Sequence, residues 1–300
     1  HLSIRRQRQM CIRDRFYREL RDFTGTLHKD LKAQKSIHFV VGSDINFKSW
    51  GRPFKFISEI YYKHLDNLIP YEVDNVRLRY YAENSAKGFA TGIDMKINGQ
   101  FVKGIDSWAS MSIMKTMEDI KTDYYHLYLN SDGDTIIPGY TSNYIVTDSI
   151  RVEPGYIPRP TDQRVTFGLF FQDHLPKLPR CKMHLNLLFG TGLPFGPPTF
   201  ERYKDVLKMP PYRRVDIGFS YEIIREKKEP TAEIELNPSA PKTKTRNLFK
   251  SIWFSLEVFN LLAVNNVVSY FWVRDVNGRQ YAVPNYLSNR LLNARIMVKF

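Results

Sequence analysis

Residues 286–300 read YLSNRLLNARIMVKF, and from 292 onward Leu292, Ala294, Ile296, Val298 and Phe300 alternate with Asn293, Arg295, Met297 and Lys299. Successive side chains of a strand point to opposite faces, so this spacing predicts a strand with one apolar and one polar face. The same period recurs upstream. Ile37, Phe39, Val41, Ile45 and Phe47 alternate with His38, Gly42, Asp44, Asn46 and Lys48. Phe89, Thr91, Ile93, Met95 and Ile97 alternate with Gly88, Ala90, Gly92, Asp94 and Lys96, and Val215, Ile217, Phe219 and Tyr221 alternate with Arg214, Asp216, Gly218, Ser220 and Glu222. Weaker versions run through 54–66, 106–117, 163–173, 181–190 and 248–262. Together they predict about nine long strands and an all-β chain. No helix of comparable regularity is visible; 16–34, with Glu19, Leu20, Leu27 and Leu31, leaves room for a short one, interrupted at Thr24-Gly25.

The composition agrees. The 300 residues are 43% hydrophobic and 25% charged, which excludes a disordered tail, a collagen-like repeat and a disulfide scaffold. The 18 Tyr and 20 Phe give a high aromatic content at a mean hydropathy of −0.39, as all-β chains often have. The most apolar run, Leu256 to Tyr270, is broken by Glu257, Asn260, Asn265 and Asn266. It is too short and too polar for a spanning helix, whereas strands of ~9–11 residues fit a tilted crossing of a bilayer. Cys11 and Cys181 are the only cysteines, too few for a disulfide framework.

The formal charge of +13 raises the question of nucleic acid. Residues 1–15, HLSIRRQRQMCIRDR, hold five Arg and one Asp, so that +9 belongs to the rest. This segment shows no strand period and no apolar core of a signal peptide. It resembles translated sequencing-adapter read-through and is set aside from the fold, with a basic terminal arm as the alternative. The remaining +9 is scattered through turns and loops, without a helix or an RNP-like strand, so contacts to lipopolysaccharide phosphates or solvation are expected rather than nucleic acid.

The connections alternate in length. Short links stand at Ser49-Trp50-Gly51-Arg52-Pro53, at an Asn98-Gly99 turn, and at 175–179; long ones run over 67–85, 118–162, 191–211 and 263–289. Short turns on one side and long loops on the other are the pattern of outer-membrane barrels. The 225–247 link falls on the short side yet is long, charged and proline-bearing, and is expected to be an insertion. Gly88, Ala90, Gly92, Gly218 and Ser220 put small residues on polar faces, which would leave room inside a lumen. The strand-end aromatics Trp50, Trp108, Tyr61, Tyr62, Tyr80, Tyr81, Tyr124 and Tyr125 are expected to form an interfacial girdle, with a sugar-stacking platform as the alternative.

Catalytic chemistry finds little support. Histidines 1, 28, 38, 64, 126, 174 and 184 show no HxxxH or HExxH spacing, and His38 and His184 fall on polar faces as solvated side chains. Asn130, Asp132 and Asp134 around Gly133 lack the full calcium-loop spacing and are expected to make a turn. Gly190-Thr191-Gly192 lies in a Gly/Pro-rich loop with no helix behind it, against a phosphate cradle, and Cys181 begins a strand as a small apolar filler. No enzymatic activity, cofactor or metal is expected.

Several stretches carry a family resemblance: FYRELRDF (16–23), LKAQKSIHFVVGSDINF (31–47), YYKHLDNLIPYEVDNVRLRYYAENSAKGFATGIDMKING (61–99), LLFGTGLPFGPP (187–198), YRRVDIGFSY (212–221) and YLSNRLLNARIMVKF (286–300). Over 16–300 the chain resembles the C-terminal barrel portion of a TonB-dependent outer-membrane receptor, of the type with a carboxypeptidase-regulatory-like domain before the plug. The final strand ending on Phe300 resembles the signal by which the barrel assembly machinery recognises its substrates. The resemblance implies a partial transmembrane antiparallel barrel, with plug and N-terminal strands absent. In the full-length protein it implies uptake of a nutrient ligand energised through TonB by way of the plug, in the outer membrane and in contact with its lipid and lipopolysaccharide. Loops 67–85, 118–162, 191–211 and 263–289 would be extracellular, and 49–53, 98–105, 174–180 and 225–247 periplasmic. Val215, Ile217, Phe219, Ile296 and Val298 would face lipid, with Asp216, Ser220, Asn293 and Arg295 facing the lumen, so that Ile217→Arg should hinder assembly more than Asp216→Arg. A soluble β-rich adhesion or glycan-binding module, and a passive porin or assembly barrel, remain alternatives. The ligand is not legible. On this reading the first and last strands run parallel and cannot seal a barrel between them, so aggregation, edge pairing between chains or an open curved sheet is expected.

Overall fold

The computed structural model describes residues 20–22, 24–121, 123–175, 178–199, 201–204, 206–224, 250–287 and 289–300. The adapter-like segment with Cys11, the start of the 16–34 stretch and the 225–247 insertion lie outside the described residues.

Nine long strands form where the period of two predicts them: β1 Lys35–Ser49, β2 Arg52–Leu68, β3 Ala86–Val102, β4 Ile105–Ile120, β5 Val165–Leu175, β6 Leu178–Gly190, β7 Tyr212–Ile224, β8 Ser251–Phe259 and β9 Leu291–Lys299. Each pairs antiparallel with the next in the chain. The short strand Tyr156–Pro158 adds to β4, giving a ten-stranded antiparallel sheet. No helix occurs among the described residues. The sheet is open: β1 and β9 each have one neighbour. Eight antiparallel steps make these two edge strands parallel, as expected. In 16–34 the described part is no helix but a ribbon of Leu20–Arg21 with Leu27–His28. Asp22 Oδ1 closes it, accepting from the Thr24 hydroxyl at 2.7 Å and the backbone N–H groups of Thr24 and Thr26 at 2.9 and 3.0 Å. The Thr24 hydroxyl above all, then His28, holds the Asp22 carboxyl down to about 2.

The turn between β1 and β2 is Trp50-Gly51, with φ of 51° and 69°. Positive φ at both central residues is what a two-residue hairpin turn needs to follow the strand twist. The Asn98-Gly99 turn is a misreading. β3 continues through both residues to Val102 and turns at Lys103-Gly104, where Gly104 has φ 78°. Gly99 is required for another reason: a Cβ there would run into the Phe54 ring.

Register sorts the side chains onto two faces. Ile45, Phe56, Ile97, Ala109, Leu169, Leu187 and Val215 form one rung across seven strands. Val41, Ile60, Ile93, Ile113 and Val165 form another, and Tyr221, Phe254 and Ile296 a third. This apolar face is open: Val41 is 77% exposed, Ile60 58% and Ile296 68%. The opposite face is polar and internally hydrogen-bonded. Asp216 accepts from Arg214 Nε at 2.7 Å, the Asn260 N–H at 2.9 Å and Asn186 Nδ2 at 3.3 Å. The Ser220 and Ser255 hydroxyls meet at 2.9 Å, Asn293 Nδ2 donates to Glu257 at 3.0 Å, and the Ser112 hydroxyl donates to Asp94. Hydrophobic burial would have the reverse arrangement in water, since a contiguous exposed apolar face is costly there.

The small residues of the polar face leave less space than the pattern implies, because cross-strand neighbours fill it. Tyr61 lies over Gly92, Trp108 over Gly168 and His184 over Gly218. A Cβ at Gly92 would stand 2.6 Å from Tyr61 Oη and 2.6 Å from the Ile113 carbonyl oxygen. Overpacking of this kind costs about 1–3 kcal/mol, so Gly92→Val is expected to lower the melting temperature followed by circular dichroism. An unchanged melt would show that Tyr61 does not depend on the gap.

Candidate functional site

The four long links gather at one end of the sheet, and each carries a ribbon of its own. Tyr71–Asp74 pairs with Arg77–Tyr80, Tyr125–Leu129 with Asp148–Val152, Pro194–Phe195 with Leu207–Lys208, and Val267–Arg274 with Gln280–Tyr286. The ribbons brace one another. Phe195 stacks on Tyr270 at 4.3 Å between ring centres. The Ser269 hydroxyl donates to Asn75 Oδ1 at 2.5 Å, and Arg279 donates to the Gly139 carbonyl while lying 4.9 Å over the Tyr140 ring. They form one layer presenting aromatic side chains, Tyr128, Tyr140, Tyr144 and Phe271 among them, to the exterior.

Beneath the layer lies a buried ion network. Glu118, 1% exposed on β4, pairs with Arg159 Nε at 3.0 Å and with Arg202. Arg202 also donates to the Pro158 carbonyl at 2.8 Å. Fully buried Asp162 accepts from the Thr116 N–H and from Arg164 Nε, each at 2.7 Å. Burial lowers the pKa of both Arg159 and Arg202, which stay cationic because a guanidinium does not give up its proton in a protein. Burial also pushes the Tyr81 phenol, which accepts from the Arg202 N–H, up to about 12. Beside Arg202, Pro158, Pro160, Pro194, Phe195 and Pro197 line a cavity of about 20 Å³, room for a single water. The arrangement fastens the 153–164 and 191–211 segments to the sheet; it positions loops and offers no reacting pair.

Among the described residues at this end, one carboxyl is shifted upward. Burial, then the charge of Asp119, pushes the Asp123 carboxyl up to about 6. A folded-state value above the unfolded one means that folding is opposed while the group is ionised and relieved as pH falls through about 6. Asp123→Asn is therefore expected to increase amide-exchange protection around 119–125 at neutral pH and to leave it unchanged near pH ~4. Equal effects at both would refute the assignment.

The residues singled out from sequence are dispersed. His38 is exposed, 2.6 Å from the Ser36 hydroxyl; His184 stands on the polar face 3.7 Å from Glu257. Asn130 Oδ1 accepts from the Asp132 and Asp134 N–H groups at 3.0 and 2.8 Å, closing a turn at Gly133. Gly192 packs against the Met209 backbone, Cys181 is buried at its strand, and Phe300 is exposed. The girdle expectation is partly overturned. Tyr61 and Trp108 lie on the polar face over glycines, Tyr81 is held in the ion network, and Tyr80, Tyr124 and Tyr125 belong to the loop layer. Tyr62 remains exposed on the apolar face, and Trp50 is exposed at the β1–β2 turn. Asp216, expected to face an open lumen, lies on the polar face but is 4% exposed and accepts from three donors. Glu118 was not singled out in the sequence, and its partners on distant loops left no local signal.

No protein family matches the chain, and no curated protein is significantly similar to it.

Proposed function

We propose that the nine long strands are a section of the wall of an outer-membrane β-barrel of the TonB-dependent receptor type, serving nutrient uptake in the full-length protein. The observation that carries the membrane reading is the apolar face, in register over nine strands and open to the exterior while the polar face is hydrogen-bonded within itself. Lipid accepts such a face; water does not. Its partners would be outer-membrane lipid, lipopolysaccharide, the barrel assembly machinery and, through a plug, the TonB system. The receptor type rests on the sequence stretches quoted above. The unpaired edges of β1 and β9 would each need a further strand, because unpaired backbone groups in lipid cost several kcal/mol apiece; receptors of this type close with about 22 strands.

The test is membrane partitioning followed by topology. The refolded chain should need detergent to stay dispersed, and a monodisperse, detergent-free preparation would sink the reading in favour of a soluble adhesion or glycan-binding module. In cells carrying a complete barrel that includes this section, external protease should cut the long loops 67–85, 118–162, 191–211 and 263–289 and spare 225–247. Cleavage confined to 225–247 would invert the orientation.

A further inference from the structure

At the loop end of the apolar face, two arginines bracket the link that leaves β8. Arg213 is paired in register with Phe189, on the same face as Val215 and Ile217, and is exposed. Its backbone is fixed from both sides by Asn266, whose Oδ1 accepts from the Arg213 N–H at 2.9 Å and whose Nδ2 donates to its carbonyl at 2.8 Å. Arg290, just before β9, donates to the Leu261 carbonyl at 2.7 Å, while the Leu261 N–H donates to the Val215 carbonyl at 2.7 Å. Both arginines therefore stand at the same short segment, and neither has an acidic partner among the described residues. Leu262, beside Leu261, and Leu292, two residues after Arg290, are among the most exposed aliphatic side chains. Leu292 is opposite Val258 in register, and Val258 is opposite Ile217. Two guanidiniums without an acidic partner among the described residues thus stand at the loop end of an exposed aliphatic surface.

Guanidinium forks match a phosphate with two parallel donors, and an aliphatic patch below them suits an acyl chain. We infer that Arg213 and Arg290 hold the phosphate of an anionic lipid in the leaflet on the loop side, its acyl chain lying along Leu262 and Leu292. This rests on the reading that the apolar face meets lipid and names one lipid class at one place on it. A net anionic headgroup is favoured over a zwitterionic one, whose own ammonium offsets the attraction.

The experiment uses the full chain refolded in a neutral maltoside micelle and offered phosphatidylcholine, phosphatidylglycerol and lipid A in equal amounts, with retained lipid counted by native mass spectrometry. The wild type should keep the two anionic lipids over phosphatidylcholine by roughly tenfold or more. Arg213→Gln with Arg290→Gln should bring that ratio near unity, the paired Lys variants should keep most of it, and Arg274→Gln on the distant ribbon should leave it intact. Retention of phosphatidylcholine at the wild-type level shows that a variant has folded; if the Gln pair fails this check, Arg213→Gln alone is scored. An unselective wild type, or a preference that survives the Gln pair, overturns the inference and leaves the membrane reading standing. Displacement of the anionic lipids by millimolar inorganic phosphate would mark a soluble-anion site and likewise overturn it. A wild type that retains no lipid overturns both.

Discussion

Glu118→Gln is expected to release the loop layer. The carboxylate is 1% exposed and faces two guanidiniums, the half-buried Arg159 at 3.0 Å and the buried Arg202, 8% exposed. Removing one member of a buried ion pair strands the other charge and typically costs about 3–5 kcal/mol. The glutamine keeps the shape, so the loss is electrostatic. The cost should appear first as local opening, because 153–164 and 191–211 are tied down through Arg159 and Arg202 while the strands keep their ladders. An opening made easier by ~3 kcal/mol is roughly a hundredfold more populated. Trypsin, which cuts after arginine unless proline follows, should then cleave after Arg164 and Arg202 faster by about that factor, with the strand peptides unaffected. Scored at the bond after Arg164, which both variants retain, Arg202→Met should offset part of the effect when combined with Glu118→Gln, since it removes one of the stranded charges. Unchanged cleavage in Glu118→Gln would mean that the layer is held by its aromatic stacking, Phe195 on Tyr270 above all.

What could be read from sequence was what depends on near neighbours. A period of two is a property of consecutive residues, so the nine strands, their apolar and polar faces and the sorting of short and long links were all visible. The parity that places Trp108 with Ser110 and Ser112 on the polar face was equally visible, and grouping the aromatics by closeness to strand ends passed over it. The failures depend on contacts far along the chain. Asn98-Gly99 has the composition of a turn, but β3 pairs onward to Val102 and Gly99 is used to admit Phe54 from β2. Asp216 looks like any polar-face residue until the Asn260 N–H and Arg214 converge on it. Glu118 finds Arg159 and Arg202 on two separate loops, a pairing that no spacing encodes.

Ile60→Arg separates lipid from water as the medium of the apolar face. Ile60 is 58% exposed, with Val41 and Ile93 opposite it in register on either side. If that face met water, an arginine at so open a position would cost within about 0.5 kcal/mol, as surface substitutions do. It would even lessen the exposed apolar area. In a bilayer, arginine near the midplane of a lipid-facing strand costs roughly 2–4 kcal/mol, which lowers the assembled fraction at equilibrium by about thirty- to a thousandfold. Glu59→Arg, one residue earlier and on the opposite, polar face, changes the charge more yet should assemble normally, because an exposed side chain there meets a polar surface in either medium. The pair is read in urea-titrated refolding into phosphatidylcholine vesicles, scored by the folded fraction at each denaturant concentration. A large loss for Ile60→Arg with none for Glu59→Arg is the expected result. Equal behaviour would place both faces in the same medium and end the wall reading, whereas a loss confined to Glu59→Arg would put the polar side against lipid and reverse the assignment of faces.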